Sequence, residues 1–150
     1  QSTCDVLKIS ADLFQNNLVI LKEAWQSAEE FDGDYNEVWK ILVSLAQTLY
    51  PLVFDEHENN DFLEEYRSRE GFEISLRETK ATKDDARLRN ARKVLYNGKE
   101  IDITPHVKGK TGSKGKTLRV HFYIDHENEK IVIGHCGPHL ETAGTKRKGL

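Results

Sequence analysis

The hydrophobic period of this chain changes at Gly71, and that change limits the folds open to it. Before Gly71 the apolar residues recur at helical spacing; after it they alternate. Residues 10–29 read as an amphipathic helix capped by Ser10, with Phe14, Leu18, Leu21, Trp25 and Ala28 in one stripe. Phe31-Asp-Gly-Asp34 interrupts it. Asp34 and Glu37 form a capping box for a second helix, whose stripe is Val38, Leu42, Leu45 and Leu49 and which Pro51 ends or kinks. A short third helix is expected around Phe62, Leu63 and Tyr66.

Beyond Gly71, Phe72, Ile74 and Leu76 alternate with Glu73, Ser75 and Arg77, as in a half-buried strand. Residues 80–90 are polar, a loop or short helix. Asn97-Gly98 supplies the two positive-φ positions of a type I′ turn, so 92–96 and 99–103 pair as a hairpin with Val94 opposite Ile101. Residues 118–124 and 130–136 form a second hairpin. The fold class is therefore α+β: N-terminal amphipathic helices followed by a mostly antiparallel sheet of about five strands. Two regions are expected to pack as one unit, an acidic helical region at 1–70 and a basic antiparallel β region at 71–150.

Charge follows the same division. Residues 1–78 hold six Lys+Arg against seventeen Asp+Glu, a net of −11, while residues 79–150 hold sixteen against eight, a net of +8. A basic second half suits a polyanion such as RNA or another nucleic acid. The acidic helices suit a protein partner or an intramolecular contact with that basic face. No apolar run is long enough to span a membrane. Two cysteines, Cys4 and Cys136, make no disulfide framework, which suits a reducing, cytoplasmic setting. The chain has no methionine and starts Gln-Ser-Thr-Cys, as expected of the C-terminal part of a longer protein. The acidic run 55–61 lacks the glycine and terminal glutamate of a calcium loop and reads as a solvated face.

Chemistry-bearing side chains gather near the C-terminus. The loop 108–117 carries Lys108, Lys110, Lys114 and Lys116 but is no P-loop: its glycine spacing is off by one and it leads into a strand. It suits backbone phosphates, or is simply a solvated loop. Arg119, His121 and Tyr123 share one face of their strand, while Leu118, Val120, Phe122 and Ile124 take the other. With a turn at His126–Glu129, His135 falls on the core face and Cys136 lies opposite Arg119; a shift of one residue would place His135 beside His121. His106, His121, His135 and His139 are therefore candidates for metal-free acid/base work, with ordinary hydrogen-bonded strand-end histidines as the plain alternative. A zinc set of His135, Cys136, His139 and His121 is conceivable, but no CxxC pair supports it.

His106-Val-Lys-Gly109, Leu118-Arg-Val-His-Phe-Tyr123, an acidic turn, Ile131-Val-Ile-Gly-His-Cys136 and His139-Leu140 resemble the C-terminal half of RelE/YoeB-type toxins. Those are small α+β ribonucleases of bacterial toxin–antitoxin systems. The resemblance covers residues 106–140 and implies metal- and cofactor-free cleavage of messenger RNA through its own 2′-hydroxyl. On it, Arg119 matches the phosphate-stabilising strand arginine and His139 the terminal acid/base histidine. His106 stands near the upstream glutamate base of some members, and Leu140 replaces the family's terminal tyrosine. The expectation is a metal-independent ribonuclease-like domain. The alternative is a non-enzymatic nucleic-acid-binding or protein-interaction module.

Overall fold

The computed structural model describes residues 2–56, 61–112, 117–140 and 142. The helix expected over 10–29 is instead three elements: helix α1 (Thr3–Leu13), strand β1 (Leu18–Ile20) and helix α2 (Lys22–Glu29). Ser2, not Ser10, caps α1 by accepting from the Asp5 amide. The reason for the break is the unbroken apolar run Leu18-Val-Ile-Leu21. A helical stripe would face only part of it toward the core, whereas the strand buries Leu18 and packs half-buried Ile20 on the helix side and Val19 on the opposite side. β1 runs parallel to β7 (Lys130–Pro138), with Leu18 beside Ile131 and Ile20 beside Ile133.

The second helix behaves largely as its pattern requires. The Asp34 side chain caps α3 (Tyr35–Ser44) by accepting from the Asn36 and Glu37 amides, and Val38, Leu42, Leu45 and Leu49 are completely buried. Glu37 does not close the capping box; its carboxylate is buried against a distant loop. Pro51 neither ends nor sharply breaks the path. The helix widens into a π turn at Leu45–Leu49 and continues as α4 (Tyr50–Phe54). Within that turn the Tyr50 amide bonds to the Leu45 carbonyl, and Pro51 has no N–H to offer the carbonyl of Ala46. Asn17 Nδ2 donates to it instead, at 2.8 Å. The third helix is α5 (Phe62–Glu70), and part of the acidic run before it, 57–60, lies outside the described residues.

The α+β class holds, with a five-stranded, mostly antiparallel sheet in the order β1-β7-β6-β5-β2. Its membership differs from the expectation. β2 (Glu73–Ser75), β5 (His106–Lys108), β6 (Leu118–Asp125) and β7 are joined by β1 from the acidic region. The hairpin β3 (Lys93–Tyr96) and β4 (Lys99–Asp102) forms a separate two-stranded sheet. Its turn is as expected: Asn97 and Gly98 have φ of 50° and 80°, and Val94 pairs with Ile101. Residues 80–90 are two short helices, α6 (Lys80–Asp84) and α7 (Ala86–Asn90).

One face of the main sheet meets the helices in a core that includes Leu7, Val38, Leu42, Tyr66, Val107, Val120, Phe122 and Ile133. The other face is covered over only part of its area. There Tyr96, Ile101 and Ile103 pack on Val132, flanked by Val19 and Tyr123.

A β-bulge decides what lies on the uncovered part. Pairing runs in one register from Asp125–Lys130 to Phe122–Ile133, then resumes with His121 opposite His135, leaving Gly134 without a partner. The turn length is the expected one, with Asp125 Oδ1 accepting from the Glu127 and Asn128 amides at 3.1 Å. The one-residue shift therefore arises inside the ladder. A Cβ on Gly134 would stand 2.7 Å from Ile103 Cγ2, so only glycine lets the chain leading out of β4 lie this close. Two expectations are corrected as a result. His135 faces away from the helix core beside His121, and Cys136 lies opposite Val120, fully buried, rather than opposite Arg119. Among the described residues, no helix is long and apolar enough to cross a membrane.

Candidate functional site

Strand register assembles the site two residues at a time. On the outer face His106 of β5 pairs with His121 of β6, and Lys108 with Arg119. Alternation sends all four side chains away from the helices while Val107 and Val120 enter the core. The chain beyond β7 brings His139 and Leu140 back to the same place. Together with Glu78, Arg92 and Thr117 these residues line a cavity of about 470 Å³. A neighbouring cavity shares Lys108 and Thr117 and adds Gly109 and Lys110.

The imidazoles are positioned by backbone carbonyls. His121 Nδ1–H donates to the Ile103 carbonyl at 2.7 Å, and His106 Nδ1–H to that of Thr104 at 2.8 Å. A carbonyl can only accept, so the proton is on Nδ1 in each ring and Nε2 is left as an acceptor. Their ring centroids are 4.8 Å apart. Burial pushes the His121 imidazole well below its ordinary pKa, and its neighbours His106 and His135 push in the same direction. His121 is neutral at physiological pH as a consequence.

His135 stands behind this pair. Its ring is edge-on to His121 at 5.5 Å, its Nε2–H donates to the Pro138 carbonyl at 2.6 Å, and it does not line the cavity. Burial depresses its pKa too. His139 Nδ1–H donates to the Leu140 carbonyl at 3.1 Å. The conceivable zinc set of His135, Cys136, His139 and His121 is not assembled, because Cys136 belongs to the helix-side core, where burial raises its thiol to about 12.

The cations differ in setting. The Arg119 guanidinium is partly desolvated, which lowers its pKa against the opposing pull of Glu78 and Glu73; arginine stays charged all the same. Lys110 lies over the Phe72 ring with Nζ 5.2 Å from the centroid, outside the main cavity. Lys114 and Lys116 lie outside the described residues. The lysine segment is tethered by an acidic helix: buried Glu37 accepts from the Lys110 amide at 2.9 Å and the Thr111 hydroxyl at 3.0 Å. Gly109 permits this, since a Cβ there would meet Glu37 Oε1 at 2.4 Å. One contact between the acidic and basic regions is thus intramolecular.

Glu78 and Arg92 are the site residues that pattern reading missed. Arg92 is almost wholly buried, with Nε 3.0 Å from Glu78 Oε1 and Nη1 donating to the Leu88 carbonyl at 2.9 Å. Glu78 follows a strand and Arg92 precedes a hairpin, and neither belongs to a motif. The only hint was an arginine abutting the apolar run of β3.

No protein-family model matches the chain, and neither a curated protein nor a solved structure matches it.

Proposed function

We propose that the chain is a metal-independent, ribonuclease-like domain acting on RNA phosphodiesters, in the manner of the RelE/YoeB-type toxins that residues 106–140 resemble. The supporting observation is the convergence of Arg119, Lys108, His106, His121 and His139 on one cavity. Transesterification needs a base for the 2′-hydroxyl, an acid for the departing 5′-oxygen and positive charge for the phosphorane. His106 takes the 2′-OH proton at Nε2 as the 2′-oxygen attacks phosphorus. The 5′-oxygen leaves with a proton from protonated His139, giving a 2′,3′-cyclic phosphate and a 5′-hydroxyl. Arg119 and Lys108 hold the non-bridging oxygens, Arg119 through its planar fork. His121 and His135 are positioning residues that support the His106 ring from behind. Lys110, Lys114 and Lys116 extend the contact along the RNA backbone. The free thiols of Cys4 and Cys136 fit a cytoplasmic setting.

The test is cleavage of single-stranded RNA by the purified chain and by its Arg119→Ala and His139→Ala variants. Loss of product in both is expected; unchanged cleavage in both sinks the reading. A second reading has its own support, because each of the four imidazoles has a backbone carbonyl partner, as structural histidines do. On that reading the domain binds nucleic acid without turnover, and RNA is retained in a salt-dependent manner and recovered intact.

A further inference from the structure

Glu78, His106 and His121 each present a donor atom to the cavity, and the three atoms lie within 4.8 Å of one another. The strand register that sets His106 against His121 makes this pair a fixed feature of the sheet. Both rings give Nδ1–H to main-chain carbonyls, which fixes the tautomer and leaves Nε2 bare on each. That is how imidazoles are prepared for a metal, the carbonyl orienting the ring and raising the basicity of the ligating nitrogen. Glu78 is oriented in the same sense: Arg92 Nε engages Oε1 at 3.0 Å, and a carboxylate has a second oxygen to offer.

We propose that Glu78, His106 and His121 form a three-ligand site for a zinc-class divalent cation. Tetrahedral zinc spaces its donors about 3.3 Å apart, so the set must contract by about 1.5 Å. Glu78 and the part-exposed His106 are the side chains that move, since His121 is locked in place. Three protein ligands leave one position open, toward Arg119 and Lys108. Those charges disfavour a bare dication and select an anionic fourth ligand, hydroxide or phosphate. They also discriminate among metals. Zinc, cobalt and nickel form coordinate bonds with neutral imidazole, whereas magnesium and calcium need several oxygen ligands that this cavity does not supply.

The site has a consequence that rests on the ribonuclease reading. The Nε2 atom of His106 that accepts the 2′-hydroxyl proton is the atom the metal takes. Metal binding and RNA cleavage are then mutually exclusive, and zinc is an inhibitor.

Cobalt(II) is the probe, added to chelator-treated protein without a histidine tag and followed by its visible absorption. One cobalt per chain with the intense bands of a tetrahedral ion is expected, displaced by zinc and unaffected by magnesium. His106→Gln and Glu78→Gln should each weaken binding by about 10-fold or more. Both variants are first matched to the parent by thermal unfolding, and His106→Gln serves alone if loss of the Arg92 partner unfolds the other. No tetrahedral spectrum at saturating cobalt overturns the site, as does unchanged affinity in a folded variant. Zinc should abolish RNA cleavage, and full cleavage at saturating zinc also overturns the proposal. Metal-free protein that binds cobalt but never cleaves RNA counts against the ribonuclease reading alone.

Discussion

Strands β6 and β7 cross the whole outer face of the sheet, yet the two halves of that face have opposite characters. At one end the β3–β4 hairpin lies on Tyr123 and Val132 and closes an apolar layer with Ile101 and Tyr96. A buried polar pair there is satisfied, the Tyr96 hydroxyl donating to Asp125 Oδ2 at 2.8 Å. At the other end nothing among the described residues closes over Arg119, Lys108 and His106, and a cavity remains. The Gly134 bulge lies between the two. Before it β7 presents Val132 to the hairpin; after it the register is shifted and β7 presents His135 to His121. One face can thus be closed by an apolar layer at one end and left as an open, cation-lined cavity at the other, with a single unpaired residue between them.

The largest effect expected from testing this division is at the open end. Arg119→Ala should lower RNA turnover by about 10²–10³-fold, as removing one transition-state donor does, while the midpoint of urea unfolding barely moves. A large loss of stability would make Arg119 a structural residue and break the contrast. The covered end should show the reverse. Ile101→Ala, at a position 4% exposed, should cost about 2–3 kcal/mol in urea unfolding and leave RNA affinity within about twofold.

The two ends should also respond to different acidities. His121 and His135 have folded pKa values depressed below the ordinary 6.5, by burial first; His106, His135 and Arg92 add to the effect at His121, and Arg92 and His139 at His135. The unfolded chain therefore binds more protons once pH falls below about 6.5. Stability is complete above that pH and lost below it, with a slope of up to about 1.4 kcal/mol per pH unit for each histidine. Asp125 at the covered end behaves differently. Burial raises its pKa, but hydrogen bonds from Asn128, Tyr96 and Glu127 outweigh that and leave it below the ordinary 3.8. Its contribution persists above pH 3.8 and is lost only as pH falls through the depressed value. Chemical-shift perturbation in metal-free protein between pH 7 and 5 should therefore begin around His121 and spare the hairpin; simultaneous loss of both ends would contradict the division.

The smallest effect concerns the tether to the lysine segment. Glu37→Gln removes the charge from the hydrogen bonds to Lys110 and Thr111 and should cost about 1 kcal/mol locally. Amide exchange at those two residues should quicken about fivefold with global stability little changed.

Much of the fold could be read from pattern. The α3 stripe, the Asp34 cap, the Asn97-Gly98 hairpin and the parity of β6 all depend on neighbours within one or two turns or along one strand. The helix expected over 10–29 failed because Leu18-Val-Ile-Leu21 suits a helix locally and a doubly covered strand globally. Only the presence of β7 alongside decides between them. In the site, Arg119 and His121 could be picked out by residue type on a strand face and Lys108 only as a loop lysine, which the structure instead places at the end of β5, while Glu78 and Arg92 could not. Their significance lies in a buried ion pair between residues fourteen positions apart, which no spacing encodes.

Sequence alone determined the α+β class, the charge division between its two regions and the concentration of imidazoles and cations near the last hairpin. Each of these is set by composition or by short-range periodicity. Tertiary structure alone decided that β1 completes the sheet, that His135 stands beside His121 and that Cys136 is buried. The physical reason is β7 lying alongside the apolar run for the first, and the Gly134 bulge for the other two. At that bulge only glycine fits, because Ile103, thirty-one residues earlier in the chain, packs where any side chain at 134 would have to go.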